Sequence, residues 1–274
     1  MNYLEKAQQI DRILLRKMHE VCKKYGITYY FDSGNLLGAV RHKDLIPWDD
    51  DVDLAFTREE YNKLLNVPKE EWGEDFEFAP VNEFVPNGFY DMIPRLVYLK
   101  ESIPLDSHYM VEKSFPDKYR DKMVIDCFIL DNAHESKWKQ WLLRLRLIFV
   151  YGQCMGHREV IDYSEYSSVQ KILIKILSKI GRHRNLNRLR DMYDKIGQSV
   201  EGKTSLYYYS NYNIPYLNVC CPKKWYSDIV MLPVGKDYFS CPIGYKEILT
   251  AVYGDYMQLP PVEQRKPSHI KIEE

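Results

Sequence analysis

Ser33-Gly34-Asn35-Leu36-Leu37-Gly38-Ala39-Val40-Arg41-His42, followed three residues later by Ile46-Pro47-Trp48-Asp49-Asp50-Asp51-Val52-Asp53-Leu54, is the stretch on which fold and chemistry both turn. From Asp51 to Phe56 polar and apolar residues alternate, the pattern of a half-buried strand. Residues two apart on a strand share a face, so Asp51 and Asp53 project together, about 6.6 Å apart at about 3.3 Å per residue. Val52 and Leu54 then point to the core, and Asp49 has the parity to join the acidic face if the extended chain begins that early. Two carboxylates side by side repel unless a cation compensates them. Oxygen donors select hard ions, which makes magnesium or manganese the expected metal, with Asp49, Asp51 and Asp53 as ligands. The plainer alternative is a solvated acidic turn. Against it, the aspartates stand beside Trp48 and run straight into an apolar strand. Upstream, Gly34 and Gly38 frame a turn before a short helix, where the backbone at Ser33, Gly34 and Asn35 can cradle a phosphate.

Further along, Val124 to Leu130 is a strongly apolar strand holding a single acid, Asp126. A carboxylate there must find a partner, protonate or bind a metal. If its strand neighbours that of Asp51, it becomes the third carboxylate, as metal ligand, general base or both; a salt bridge to an arginine is the competing role. Arg41, His42 and Lys43 offer positive charge near a phosphorylated donor, with a solvated loop as the alternative. Arg95, opening a strand over Arg95–Tyr98, serves either the donor or the sheet.

The remaining elements fit an α+β protein. Residues 3 to 24 read as an amphipathic helix with Ile10, Ile13, Leu14, Met18 and Val21 inward and a stop at Gly26. Ile27 to Phe31, Leu206 to Tyr212 and Ile229 to Phe239 read as strands, the last with a turn at Val234-Gly235-Lys236-Asp237, and Arg58 to Asn66 and Tyr245 to Tyr253 as helices. In between, residues 136 to 203 carry fourteen Lys and Arg against six Asp and Glu, while the rest of the chain has 24 basic and 33 acidic residues. Here Trp138, Trp141, Leu142, Leu145, Ile148 and Phe149 share one helical face, and Val169, Ile172, Leu173, Ile176, Leu177 and Ile180 another, opposed by Lys171, Lys175 and Lys179. The expectation is a basic helical lobe whose apolar faces pack on each other and on the core. Docking of these faces on an anionic membrane is the alternative.

With 274 residues, 45% of them hydrophobic, the chain suits a single catalytic domain that includes this lobe. A net charge of −1 and an acidic core without a basic groove argue against nucleic acid as partner. The N-terminus has no apolar leader and no stretch is apolar enough to span a bilayer, so a cytoplasmic protein is expected, with the inner face of the cell membrane as a second place of work. Six cysteines then read as reduced thiols. A zinc site at Cys220 and Cys221 is the alternative to buried thiols.

The run from Ser33 to Phe56 resembles the LicD family, whose relatives include the fukutin-type phosphotransferases and whose usual pattern is SGTLLGAVRH and then PWDDDIDI. The resemblance continues at Val124-Ile125-Asp126-Cys127-Phe128-Ile129-Leu130-Asp131, similar to IDIFPLD. It returns from Tyr253-Gly254-Asp255 through Pro260-Pro261 to Arg265 and His269. Asn35 departs from the usual Thr or Ser, and Ile129 from Pro. The resemblance implies a nucleotidyltransferase-like mixed sheet flanked by helices. It also implies transfer of a phospho-alcohol, typically phosphocholine, from CDP-choline or a similar CDP-alcohol to a sugar hydroxyl of a glycan or teichoic acid precursor, lipid-linked acceptors included. Asp51, Asp53 and Asp126 would be catalytic, and the tail beyond Pro260-Pro261 would fold back to the site with Arg265 contacting donor or acceptor charge, an exposed tail being the alternative. Choline would sit among tyrosines, with Tyr207, Tyr208, Tyr209 and Tyr212 as candidates. An NTP-dependent nucleotidyltransferase acting on a small molecule and a non-catalytic membrane-surface adaptor are the alternatives.

Overall fold

A computed structural model of the chain describes residues 2–106, 113–164, 166–202, 205–210 and 214–270. Helix α1 (Tyr3–Tyr25) opens with a reciprocal cap between Asn2 and Glu5 and closes at Gly26, whose φ of 61° is left-handed. Ile10, Leu14, Met18 and Val21 of the expected stripe are buried, and Ile13 lies at the margin of the core. Next come β1 (Tyr30–Phe31), α2 (Ser33–Arg41), β2 (Val52–Thr57), α3 (Arg58–Leu64), β3 (Phe76–Ala79), the short α4 (Val81–Phe84), β4 (Arg95–Tyr98) and β5 (Val124–Ala133).

These strands form a mixed sheet in the order β1-β2-β5-β4-β3, flanked by helices, as expected of an α+β chain. Only β2 and β5 run parallel, with Val52 opposite Ile125 and Thr57 opposite Leu130. The ten-residue β5 is the spine. Along one edge it pairs with β2; along the other it pairs first with β4 and then, from Leu130, with β6 (Tyr207–Ser210), which carries β7 (Cys220–Pro222) outside it. Tyr212 lies outside the described residues. The run from Ile229 is a hairpin, β8 (Ile229–Val234) and β9 (Asp237–Pro242), turning where expected, at Gly235 with φ 61°. Helix α8 (Tyr245–Tyr253) ends at Gly254, φ 65°. All six cysteines are free thiols.

The basic segment forms three helices rather than two: α5 (Lys137–Cys154), α6 (Ser168–Gly181) and α7 (Leu186–Gly197). Glycines bring α5 against α6. A Cβ on Gly152 would come within 2.6 Å of the Leu177 side chain, and one on Gly181 would strike the Gln153 carbonyl. Arg58 fastens the lobe to the sheet, gripping Asp131 of β5 with Nε and Nη2, both at 2.8 Å, and Asp194 of α7 with Nη1 at 2.7 Å. Most of the lobe's own core comes from outside the expected stripes, although Leu177 and, in part, Ile148 of those stripes do pack inward. On α5 the buried positions are Gln140, Leu143, Leu147, Val150 and Cys154, whereas Trp138, Trp141, Leu142, Leu145 and Phe149 are exposed. On α6 Ile174 and Leu177 are buried, and Val169, Ile172, Leu173, Ile176 and Ile180 are exposed. Both helices are apolar on two sides, and periodicity alone cannot say which side meets the core.

Candidate active site

The pairing of β2 with β5 sets Asp53 directly opposite Asp126, and on the far side of β5 Arg95 stands opposite Asp126 in turn. Asp32, Asp49, Asp51, Asp53 and Asp126 all line a single cavity of about 1090 Å³. Asp51 comes just before the strand, and Asp49 joins it through a side-chain hydrogen bond between the two carboxyls instead of through strand parity. Gln8 of α1 fixes the acidic loop by donating from Nε2 to the carbonyls of Ile46 and Asp49, each at 3.0 Å.

The glycines play a different part from the one expected. Helix α2 starts at Ser33, so Gly34 and Gly38 lie inside it and do not frame a turn before it. A Cβ on Gly34 would stand 2.5 Å from Asp49 Oδ2, and one on Gly38 2.7 Å from the Asp44 carbonyl. Glycine is needed there so that the acidic loop can lie against the helix. Ser33 and Gly34 face the cavity at the helix N-terminus, and Ser33 has φ 46°. That is a left-handed conformation, which disfavours an L residue by about 1–2 kcal/mol. Asn35 lies outside the cavity lining. It is buried, accepts from the Asp53 amide at 2.5 Å and donates to the Asp51 carbonyl at 3.3 Å, clamping the backbone that carries both aspartates.

Crowding shows in the acidities. Burial, and then Asp51, push Asp49 up to about 8. Burial followed by the fields of Asp51, Asp126, Asp32 and Asp49 pushes Asp53 well above the ordinary range. Asp51 is raised by burial, and Asp126 by burial to about 6 despite Arg95. On α1, the buried Asp11 has neither oxygen hydrogen-bonded and is raised by burial, then by Asp51, Asp49 and Asp50. So much uncompensated carboxylate oxygen suits a hard cation. Among the described residues, however, no three His, Cys, Asp or Glu side chains converge on one point at ligand distance, so the donors are gathered without forming a closed cage.

Of the expected cationic groups, only Arg41 lines the cavity, and its Nη1 donates to the carbonyls of Tyr256 and Gln258, both at 3.1 Å. His42 stands edge-on to Trp48, and Lys43 is exposed. Arg95 serves the sheet side of the site. It is buried against Phe84 and Tyr90, with Nη2 2.6 Å from Asp91 and Nε 2.8 Å from Asp126 Oδ1. That last contact is an ion pair without hydrogen-bond alignment, which leaves Asp126 Oδ1 unsatisfied. Arg265 lies over Trp48, 5.5 Å from the ring centre, and donates Nε to the Pro260 carbonyl.

At the acidic loop the nearby cation is His269, 3.7 Å from Asp51. Its position depends on Asp50, whose parity turns it away from the acidic face. Asp50 accepts the amides of Ser268 (3.1 Å), His269 (2.8 Å) and Ile270 (2.8 Å), with His269 Nδ1 at 3.2 Å. Burial would raise the Asp50 pKa, but the His269 ring and these amides outweigh it and hold it below the usual carboxylate range. Hydrogen bonding to Asp50 raises His269 to about 9. The C-terminal segment is therefore fastened, and buried Ile270 bridges Leu105. Asp50→Ala would orphan three amides and is expected to destabilise the fold by about 2–4 kcal/mol. It should also open the segment to trypsin after Arg265, as followed by mass spectrometry at native temperature. Cleavage no faster than in the parent protein would refute the anchoring role.

Residues 26–92 match the family described as LicD/FKTN/FKRP, nucleotidyltransferase domain, a match that takes in Asp32 through Asp53 and stops short of Asp126 and His269. The chain is 28% identical over 279 aligned positions to the lipopolysaccharide cholinephosphotransferase LicD of Haemophilus influenzae, covering 98% of this chain and 96% of that protein. It is 50% identical over 65 residues to the mouse ribitol 5-phosphate transferase FKRP, 21% of this chain and 13% of that one. The human FKRP is 50% identical over 40 residues, 15% and 8% of the two chains.

Proposed function

We propose that this chain, whose residues 26–92 belong to the LicD/FKTN/FKRP nucleotidyltransferase family, transfers phosphocholine from CDP-choline to a hydroxyl of a cell-surface glycan or teichoic acid precursor. The observation that carries the proposal is the register of Asp53 against Asp126 beside Asp49 and Asp51 in one cavity. The near full-length likeness to a lipopolysaccharide cholinephosphotransferase supports the choice of donor headgroup. Asp51 and Asp53, with Asp49 and Asp126 beside them, would hold magnesium or manganese, which when bound offsets the charge of the donor phosphates.

The chain's own groups supply the rest. The N-terminus of α2, where Asp32 Oδ1 already accepts the Ser33 N–H at 2.9 Å, turns its positive dipole end at Gly34 toward an anion in the cavity. Asp126 Oδ1 is buried against Arg95 Nε at 2.8 Å, so Oδ2, which accepts from Arg95 Nη2 at 3.5 Å, takes the acceptor's hydroxyl proton. The acceptor oxygen bonds to the phosphorus bearing choline, the bond from that phosphorus to CMP breaks, and CMP leaves. His269, beside Asp51, supplies positive charge at the cavity wall. The quaternary ammonium meets the aromatic wall, where Tyr208, Tyr226, Tyr253 and Tyr256 line the cavity.

Incubation with CDP-choline, magnesium and an envelope glycan is expected to release CMP only when acceptor and divalent cation are both present, with choline recovered on the glycan. Pyrophosphate release from an NTP, with CDP-choline left intact, would overturn this reading in favour of a small-molecule nucleotidyltransferase.

A further inference from the structure

The exposed stripes of α5 and α6 lie outside the catalytic cavity and share one design. On α5 it comprises Trp138, Trp141, Leu142, Leu145 and Phe149; on α6 Val169, Ile172, Leu173, Ile176 and Ile180. Both follow the spacing i, i+3, i+4, i+7, i+11, a straight apolar face along the outside of a helix. Exposure runs from 40% at Leu145 to 64% at Trp138 on α5, and from 43% at Leu173 to 77% at Val169 on α6. Three aromatics and two leucines so exposed leave on the order of 400 Å² of apolar surface on α5 alone, about what a whole monomer tolerates in its largest patch.

Charge identifies the occupant. Neither helix contains an Asp or Glu. Helical geometry puts Lys137 and Arg144 along one border of the α5 stripe and Lys139 and Arg146 along the other; on α6 Lys179 borders the stripe, with Lys175 and then Lys171 further round the same flank. Lysine is depleted from protein–protein interfaces. At the edge of an apolar face it suits a bilayer surface, where the stem lies along the apolar zone and the ammonium reaches the headgroups. The stacked pair Trp138–Trp141, centroids 4.8 Å apart, adds indole rings of the kind that settle at the water–lipid boundary. Among the described residues no helix is long and apolar enough to cross a membrane, so contact would be in the plane of the surface. We propose that the outer faces of α5 and α6 dock on an anionic lipid bilayer. This inference rests on the helical lobe alone and would stand whatever the cavity transfers.

The test is sedimentation of the full chain with phosphatidylcholine vesicles, with and without phosphatidylglycerol, at low and high salt. Binding is expected to the anionic vesicles only, to weaken with salt, and to shift tryptophan emission to the blue. Trp138→Ser with Phe149→Ser, and separately Lys171→Glu with Lys175→Glu and Lys179→Glu, should each cut partitioning at least tenfold, since one lysine near such a surface contributes about fivefold. Unchanged melting would show that these variants fold. No sedimentation with anionic vesicles at low salt, or binding indifferent to both sets of variants, would overturn the proposal. So would a stable dimer in the parent protein that the serine variants dissociate, since the stripes would then meet a second copy of the chain.

Discussion

Asp53→Asn is expected to abolish CMP release from CDP-choline, by on the order of 10²–10³-fold or more, while the protein keeps its fold. Asp53 stands opposite Asp126 and feels the fields of four neighbouring carboxylates. Removing one negative charge takes away a metal donor and also relieves repulsion. Rate and stability should therefore part company. The rate should fall by at least what is lost when one group stabilising transition-state charge is removed. Melting without metal should stay level or rise, because a carboxamide side chain adds no charge to the cluster. The backbone amide at this position can still donate to Asn35, so the clamp survives the substitution. Rates come from coupled CMP detection at saturating magnesium, melting from calorimetry with and without it. Activity near that of the parent protein would remove Asp53 from the chemistry. A melting point lowered by many degrees would mark it instead as a structural group.

Much of this site was legible because it obeys local rules. A two-residue spacing running into Val52 and Leu54 implies a strand with both acids on one side, and burial of Val52 and Leu54 bears that orientation out. The adjacency of Asp126 needed only the strands to be neighbours, and they pair in register. The glycines misled because their role is tertiary. Nothing in Ser33–His42 says that Asp49 will lie against Gly34, and a glycine inside a helix looks in sequence like one ending a turn. Asn35 was read through the hydroxyl it replaces, although its two hydrogen bonds go to backbone sixteen and eighteen residues away.

Asp50 is harder still. It points away from the cavity, and that orientation lets it collect the amides of residues 268–270, more than two hundred positions later. A carboxylate of the wrong parity within an acidic run is the available signal, and it points to an anchor without naming its partner. The helical lobe failed for a different reason. Helix α5 is apolar on two sides, and its exposed face, with two tryptophans and a phenylalanine, is the more hydrophobic to the eye. Which face meets the core depended on glycine-mediated contact with α6, a property of the pair rather than of either helix.

Asp126→Asn is expected to lower kcat by about 10²–10⁴-fold, the range for loss of a positioned general base, with little change in KM for the donor. The competing role is visible in the same geometry, since Asp126 lies 2.8 Å from buried Arg95 and could exist to neutralise it. Two observations weigh against a purely structural role. Arg95 already has Asp91, whose oxygens accept from Nη1 at 2.8 Å and Nη2 at 2.6 Å, so its charge stays compensated when Asp126 is made neutral. Asp126 also lines the cavity, which a buried counter-ion has no need to do. Stability should therefore drop by no more than about 1–3 kcal/mol. A variant that turns over normally but melts early would reverse the assignment. The remaining question is whether Asp126 holds metal or moves a proton, and a magnesium titration of the variant separates the two. A lost ligand raises the metal concentration needed and is overcome at saturation. A lost base leaves kcat low however much metal is added. With Oδ1 buried against Arg95 and the carboxyl lining the cavity, the second outcome is expected.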